Sequence, residues 1–150
     1  MRLTQWTDYT LRVLMYCAAC RTRAQPVTIS EIAQSHDISR SHLTKIVHQL
    51  GTHGLLANTR GRGGGIALLK DAKDINLGEV VRLTETDFMV VECFDASSSQ
   101  CALTRRCQLK GVLQRATQSF LAVLDGVTLQ DVVAGPSASV KPPTSRKPAA

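Results

Sequence analysis

Two short capped helices followed directly by a glycine-rich hairpin constrain the fold of this chain more than any other pattern. Thr28 and Glu31 have the T-x-x-E spacing of a capping box, in which each side chain bonds the other residue's backbone amide. Ser39 is the predicted N-cap of a second helix. Two short helices separated by a tight turn are typical of a helix-turn-helix. Apolar residues three and four positions apart predict the buried stripe of the second helix: Leu43, Ile46, Val47 and Leu50.

A hairpin is predicted after the second helix. Residues 55–59 and 66–69 are short extended runs, and residues 60–65 between them read Arg-Gly-Arg-Gly-Gly-Gly. The glycines permit positive φ at a turn. They do not predict a dinucleotide site, because that fingerprint needs a helix after the glycines and residues 66–69 predict a strand. The fold class is therefore expected to be mainly α with a small β-hairpin wing, a winged helix-turn-helix.

Further helices are predicted at both ends of the chain. Residues 4–20 predict an opening helix, Asn76 caps a short one, and Thr128 begins a last short helix. Residues 104–124 predict a helix about 30 Å long, as long as a small domain. We expect its apolar face to be buried against its copy in a homodimer. The residues of that face are Leu109, Val112, Leu113, Ala116, Phe120, Val123 and Leu124.

The organisation is expected to have three parts. Residues 1–75 form a winged helix-turn-helix DNA-binding domain, and residues 76–134 form a cysteine-containing loop and a long C-terminal dimerisation helix. Four of the five prolines follow Gly135, mixed with Ser, Lys and Ala, so residues 135–150 are expected to be a disordered tail.

The charge is divided along the chain. The formal net charge is +6, yet residues 1–70 hold nine Lys or Arg against three acids, and residues 71–134 hold six against nine. A basic half predicts a polyanionic partner. The longest uninterrupted apolar run, residues 13–20, is far shorter than the roughly 20 residues of a membrane span. Residues 1–12 show no secretion signal, so no membrane contact and a cytoplasmic location are expected.

The polar face of the second helix carries no acidic residue. Arg binds guanine through two hydrogen bonds, Gln does the same with adenine, and Lys or Ser binds phosphate. Arg60 and Arg62 on a glycine-rich tip suit a narrow minor groove, where the potential is most negative. Double-stranded DNA is therefore the predicted partner. The predicted contacts are Thr28, Ser39, Arg40, Ser41, His42, Lys45, His48, Gln49, Arg60 and Arg62.

The five cysteines fall into two groups. Cys17 and Cys20 lie late in a helix, where packing is expected, because thiolate activation needs a helix N-terminus. Cys93, Cys101 and Cys107 lie where a loop leads into the long helix, with seven and five residues between them. Thiolates together suit an iron–sulfur cluster or zinc, and three unrelated packing thiols are the alternative. All four histidines lie in residues 1–70, so a fourth ligand has to be an oxygen, water or a distant residue.

The order of these motifs resembles a known family. It runs from Leu-Thr-Gln-Trp-Thr-Asp-Tyr at residues 3–9 through the helix-turn-helix and the wing at residues 60–68 to the three cysteines. Gln-Ser-Phe-Leu at residues 118–121 and Thr-Leu-Gln-Asp at residues 128–131 follow. Over about residues 1–134 the chain resembles the NsrR family of nitric-oxide-sensing transcriptional repressors, in the winged-helix superfamily that includes IscR.

The resemblance implies a homodimer that binds a palindromic operator and carries one iron–sulfur cluster (2Fe-2S or 4Fe-4S) per subunit. It implies Cys93, Cys101 and Cys107 as ligands and Asp8 as the fourth, from the same or the opposite subunit. A carboxylate is a hard ligand on a soft iron–sulfide core, so we further hypothesise that nitric oxide nitrosylates the cluster and displaces Asp8, and that the repressor then leaves its operator. Family members often have five residues between the first two cysteines, where this chain has seven.

Two other functions are weighed against this one. The first is an iron–sulfur, zinc or thiol redox-sensing regulator of the same superfamily. The second is an enzyme, for instance a thiol oxidoreductase that uses Cys17 and Cys20. No acid/base pair or nucleophile elbow favours catalysis, so we expect that the chain is not an enzyme.

Overall fold

The computed structural model describes residues 2–59, 61, 63–95, 97, 99–103 and 107–134, and this part is mainly helical with one antiparallel hairpin. The expected fold class is confirmed. Short 3₁₀ turns occupy Ala72–Asp74 and Glu92–Phe94. The helices and strands are α1 (Gln5–Ala19), α2 (Ile29–His36), α3 (Arg40–Thr52), β1 (Leu56–Thr59), β2 (Gly65–Leu68), α4 (Leu77–Thr84), α5 (Gln108–Asp125) and α6 (Leu129–Val133).

The helices begin at the predicted caps. The Ser39 hydroxyl accepts from the His42 amide, and the Asn76 side chain accepts from the Glu79 amide. Thr128 forms a complete capping box with Asp131. These starts are local, because a side chain satisfies amides only three residues away.

The capping box predicted at Thr28 is only half correct. Thr28 accepts from the Glu31 amide, at 3.2 Å. The Glu31 carboxylate does not return to Thr28, however. It accepts from Arg23 at 2.9 Å and from the Tyr16 hydroxyl at 2.8 Å. A charged guanidinium is a stronger partner than a backbone amide, so the tertiary contact replaces the local one.

The hydrophobic core joins both halves of the chain. Leu14 of α1, Ile32 of α2 and Leu43 of α3 are fully buried, as is Leu129 of α6. The Leu129 amide donates to the Ile75 carbonyl, at 2.8 Å, which holds α6 beside the first half. The core therefore crosses residue 75, and the division there stays a prediction about function.

The hairpin is fixed to the segment before α2. β1 pairs with β2 from Leu56 opposite Leu68 to Thr59 opposite Gly65. The Ile66 amide donates to the Val27 carbonyl, at 2.7 Å. Gly61 and Gly63 have φ of 101° and 81°, the positive values expected of the turn.

The long helix differs from its prediction at its start and in its packing. It begins at Gln108, and residues 104–106 lie outside the described part of the chain. Leu113, Phe120 and Leu124 are half-buried, and α5 packs against α4, where Arg82 and Asp125 form a two-bond ion pair. The other side chains of the predicted face, Leu109, Val112, Ala116 and Val123, are exposed.

Two further expectations concern the tail and membranes. The disordered tail predicted at residues 135–150 lies outside the described residues. Among the residues that the structure does describe, no helix is long and apolar enough to cross a bilayer.

The contact of Gly65 with Val27 and Pro26 generates a test of the wing anchor. A Cβ at residue 65 would lie 2.5 Å from the Val27 carbonyl oxygen and 2.7 Å from the Pro26 Cβ. Gly65→Ala is therefore expected to lower the free energy of unfolding by about 1–3 kcal/mol, measured by urea denaturation.

Gly111→Ala is the matched control. A Cβ there meets only an Arg115 side-chain nitrogen, at 3.8 Å, so alanine should raise stability by up to about 1 kcal/mol. A Gly65→Ala variant as stable as the wild type would contradict the anchor.

Candidate nucleic-acid interface and metal centre

The predicted DNA-contacting face lies on α3. The helix buries Leu43, Ile46, Val47 and Leu50 against the core, as predicted. The side chains of Arg40, Ser41, His42, Lys45 and His48 are exposed. Thr28 and Ser39, at the N-caps of α2 and α3, are exposed as well. These seven predicted residues are therefore all accessible to a partner.

Gln49 is placed differently from the other predicted contacts. It is half-buried, and its Oε1 accepts a hydrogen bond from the indole Nε1 of Trp6 on α1, at 2.6 Å. His42 lies two turns earlier on α3, with its ring 6.2 Å from that of Tyr9 on α1. One flank of α3 thus faces α1.

Trp6 and Tyr9 were missed as residues of this region. Their spacing of three on a helix shows that they share a side of α1. The sequence does not show that this side meets α3, because the two contacts join residues 33 to 43 positions apart along the chain.

Arg60 and Arg62 lie outside the described residues. Gly61 and Gly63, their neighbours in the chain, are both in the described part. The assignment of the two arginines to a minor groove stays a prediction.

The three cysteines of the candidate metal centre lie on separate pieces of backbone. Cys93 is half-buried in a 3₁₀ turn, Cys101 is exposed, and Cys107 is half-buried directly before α5. Glu92 Oε1 accepts from the Gln100 amide, at 2.8 Å, which holds the two sides of this loop together. Across the described residues, no three His, Cys, Asp or Glu side chains are grouped closely enough to hold a metal ion.

The donor set nevertheless fits an iron–sulfur cluster. Cys93, Cys101 and Cys107 are at least partly accessible. Thiolates are the usual ligands of iron–sulfur clusters, with other donors taking single positions. The residue types are therefore suitable, and the arrangement of their sulfur atoms is not that of a formed site.

Asp8 lies on the accessible side of α1 and pairs with a residue of its own helix. Its Oδ2 is 2.8 Å from Arg12 Nη2, and its Oδ1 accepts from Arg12 Nε at 3.1 Å. Each side chain of the pair is almost half exposed. Exposed pairs four residues apart on a helix contribute only about 0.3–0.5 kcal/mol, so Asp8 can leave Arg12 at small cost.

The start of α1 is also tied to the residue that precedes the cysteine loop. The Thr4 amide donates to Glu85 Oε1, at 2.8 Å, and the buried Thr7 hydroxyl donates to Thr84 Oγ1, at 2.8 Å. Thr84 ends α4, so α1 has direct contact with the end of the helix from which residues 85–103 continue.

His36 lies near the Asp8–Arg12 pair at the end of α2. Burial lowers its pKa, and so does the charge of Arg12, while Asp8 acts in the opposite direction. Its ring stands edge-on to that of Tyr16, at 5.6 Å between centroids. A lowered pKa keeps this imidazole neutral at pH 7.

Cys17 has the packing role expected of it. It is 4% exposed, and burial raises its pKa to about 12. Burial also raises the pKa of Cys20, at the C-cap of α1. Neither thiol is a ready nucleophile at neutral pH, which argues against a thiol oxidoreductase.

The comparison with protein families decides the assignment. Residues 3–135 match the family model Rrf2, described as an iron-dependent transcriptional regulator. The chain belongs to the Rrf2 family. It is thus a transcriptional regulator with a helix-turn-helix rather than an enzyme, as predicted.

Curated relatives agree over most of the chain. It is 50% identical over 133 residues to the HTH-type transcriptional regulator NsrR of Bacillus subtilis. The aligned region covers 89% of this chain and 90% of the relative. The NsrR regulator of Shouchella clausii is 43% identical, with 89% of each chain covered. The family resemblance found in the sequence is confirmed.

Solved structures share the fold. CymR, the global cysteine regulator of B. subtilis, has a TM-score of 0.69 at 24% identity, covering 89% of this chain and 97% of its own. IscR of T. potens has a TM-score of 0.67 at 24% identity, covering 89% of this chain and 87% of its own.

Proposed function

We propose that this Rrf2-family regulator is a homodimeric, cytoplasmic repressor that senses nitric oxide through an iron–sulfur cluster and then releases a palindromic operator. The observation that carries the proposal is the presence of Cys93, Cys101 and Cys107 within 15 residues of a chain 50% identical to a regulator named NsrR. Asp8, on the accessible side of α1, is the proposed fourth ligand.

The accessible face of α3 supports the DNA-binding role. A recognition helix enters the major groove and contacts base edges near its N-terminus. Arg40 and Ser41 begin α3, Lys45 lies one turn later, and all three side chains are exposed. The first turn of α3 contains no acidic residue. The hairpin is held beside the helix-turn-helix through Val27, so its tip can reach an adjacent minor groove.

The exposed face of α5 supports a dimer. Leu109, Val112 and Val123 are 61%, 49% and 68% exposed, and Ala116 continues the same stripe. Apolar residues three and four positions apart are typical of a helix that packs against another helix. A second copy of α5 would cover this stripe, and a dimer that binds successive major grooves has to hold its two α3 helices roughly 34–36 Å apart.

The residues of α1 supply the proposed link between sensing and DNA binding. When bound, the cluster supplies iron that reacts with nitric oxide. A carboxylate is a hard ligand on a soft iron–sulfide core, so the Asp8 bond is expected to be the weakest. An Asp8 carboxylate that the cluster no longer held would be able to pair with Arg12, its partner in the structure. If α1 shifts when Asp8 changes its partner, the position of α3 relative to the DNA would change too, because α1 contacts α3.

The ligand set is tested first. Cys101→Ala is expected to give colourless protein without iron, because one thiolate donor is lost, whereas the wild type purified without oxygen is brown. Absorption spectra and native mass spectrometry measure both. Cys20→Ala is the control and should stay brown. A brown Cys101→Ala variant contradicts the ligand set, and a colourless, zinc-containing wild type favours the zinc or thiol regulator.

Asp8 is tested by a substitution that removes its charge and keeps its size. Nitric oxide should lower the DNA affinity of the wild type roughly 5–150-fold, the usual range of coupling between two sites. Asp8→Asn should keep the brown colour, since three thiols remain, and should respond less than about threefold. Asp74→Asn, exposed on a 3₁₀ turn, is the control. Fluorescence anisotropy measures DNA affinity. If nitric oxide lowers the affinity of Asp8→Asn as much as that of the wild type, Asp8 does not connect the cluster to DNA binding.

The wing arginines are tested by truncation. Arg60→Ala and Arg62→Ala are each expected to cost about 1–3 kcal/mol of binding free energy if the arginine reads a base. Gel-shift titration against the operator at fixed salt measures the loss. Arg115→Ala, exposed on α5, should bind normally. Two silent wing variants would show that the hairpin does not enter a groove.

A further inference from the structure

The hydrogen bond between Trp6 and Gln49 fixes the direction of a side chain at the edge of the DNA-binding face. Trp6 Nε1 and Gln49 Oε1 are 2.6 Å apart. An indole N–H can only donate, so the amide oxygen has to face Trp6 and the amide NH₂ has to point away from it. Both residues are half-buried, which limits other orientations of the pair.

This orientation changes what Gln49 offers to DNA. Glutamine recognises adenine by presenting an acceptor and a donor side by side. In this structure the acceptor already bonds α1, and the outward end of Gln49 is a pure donor. Gln49 also lies in the last turn of α3 (Arg40–Thr52), whereas recognition helices read bases mainly near their N-termini.

We propose that Trp6 is a positioning residue that fixes the Gln49 amide as a donor to a DNA phosphate, and that Gln49 does not read adenine. The contact between Tyr9 and His42 supports this, because it shows the same flank of α3 facing α1 two turns earlier. Gln49 then differs from three other predicted contacts on α3. Ser41, Lys45 and His48 are available to the groove, and Gln49 contacts the phosphate backbone of the DNA. The inference rests on DNA binding alone and is independent of the cluster and of Asp8.

The hydrogen bond itself is tested by NMR. Trp6 is the only tryptophan, so full-length protein labelled with ¹⁵N-tryptophan gives one indole signal. Gln49→Ala should shift this signal and speed its exchange with solvent, because the acceptor is lost. Gln49→Glu should keep it protected, because a carboxylate also accepts. An indole signal unchanged in Gln49→Ala would overturn the orientation.

The phosphate contact is tested with two DNA probes. One is a fluorescein-labelled duplex selected by the wild-type protein from a random-sequence pool, and the other is an unrelated duplex of the same length. Gln49→Ala should weaken binding to both roughly threefold to tenfold, since a phosphate bond carries no sequence information. Gln49→Glu should weaken both further, because its charge repels phosphate. Gln130→Ala, exposed on α6, is the control.

The role of Trp6 is tested by a double-mutant cycle. Trp6→Phe keeps the ring and loses the donor, so it should weaken DNA binding by no more than Gln49→Ala does. The double variant should be no weaker than Gln49→Ala alone, since Trp6 acts through Gln49. Additive losses would show that Trp6 acts by another route. A loss confined to the selected duplex would assign Gln49 to base reading and overturn the proposal, as would unchanged affinity in Gln49→Ala.

Discussion

The burial of α1 at the centre of the molecule is the constraint on which the other elements depend. Val13 and Leu14 are fully buried, and α2, α3, β2, α4 and α6 all pack against this helix. Of its two fully buried threonines, Thr7 donates to Thr84 inside the protein, whereas the Thr10 hydroxyl has no hydrogen-bond partner among the described residues. The helix-turn-helix therefore does not stand alone, because the helix before it and the last helix of the chain complete its core. A movement of α1 has to move its neighbours, since close-packed interiors leave little free space.

A second constraint is polar and joins α1 to α2. Glu31 accepts from Arg23 and from the hydroxyl of Tyr16. The hydrogen bond from Arg23 is the main reason that the pKa of Glu31 is lowered, and the bond from Tyr16 adds to it. A lowered pKa means that this contribution to stability is present above the ordinary carboxyl pKa. It is lost as the pH falls through the lowered value. The network joins α2, the first helix of the helix-turn-helix, to α1.

The same helix thus carries two kinds of surface. On its accessible side Asp8 is held only weakly by Arg12, and that side is open to a partner or a ligand. On the side that meets α3, Trp6 and Tyr9 contact Gln49 and His42, two of the predicted DNA contacts. In the proposals above, Asp8 is a cluster ligand and Trp6 positions Gln49, a proposed DNA contact. These two residues of α1 are two positions apart.

The sequence by itself determined what depends on near neighbours. The caps at Ser39, Asn76 and Thr128 and the buried stripe of α3 follow from spacings of three and four residues, because a helix satisfies its own backbone locally. The glycine turn of the wing was predicted in the same way, and Gly61 and Gly63 have the expected positive φ. The family could be identified from the order of these local motifs.

Tertiary structure decided everything that depends on a partner distant along the chain. The Glu31 carboxylate bonds Arg23 instead of the Thr28 amide. Part of the apolar face of α5 packs against α4, and the rest is exposed. The Gln49 amide oxygen accepts from Trp6. In each case a polar or apolar group had several partners of suitable chemistry within its reach. The choice among them depends on tertiary packing, which no local pattern of residues specifies.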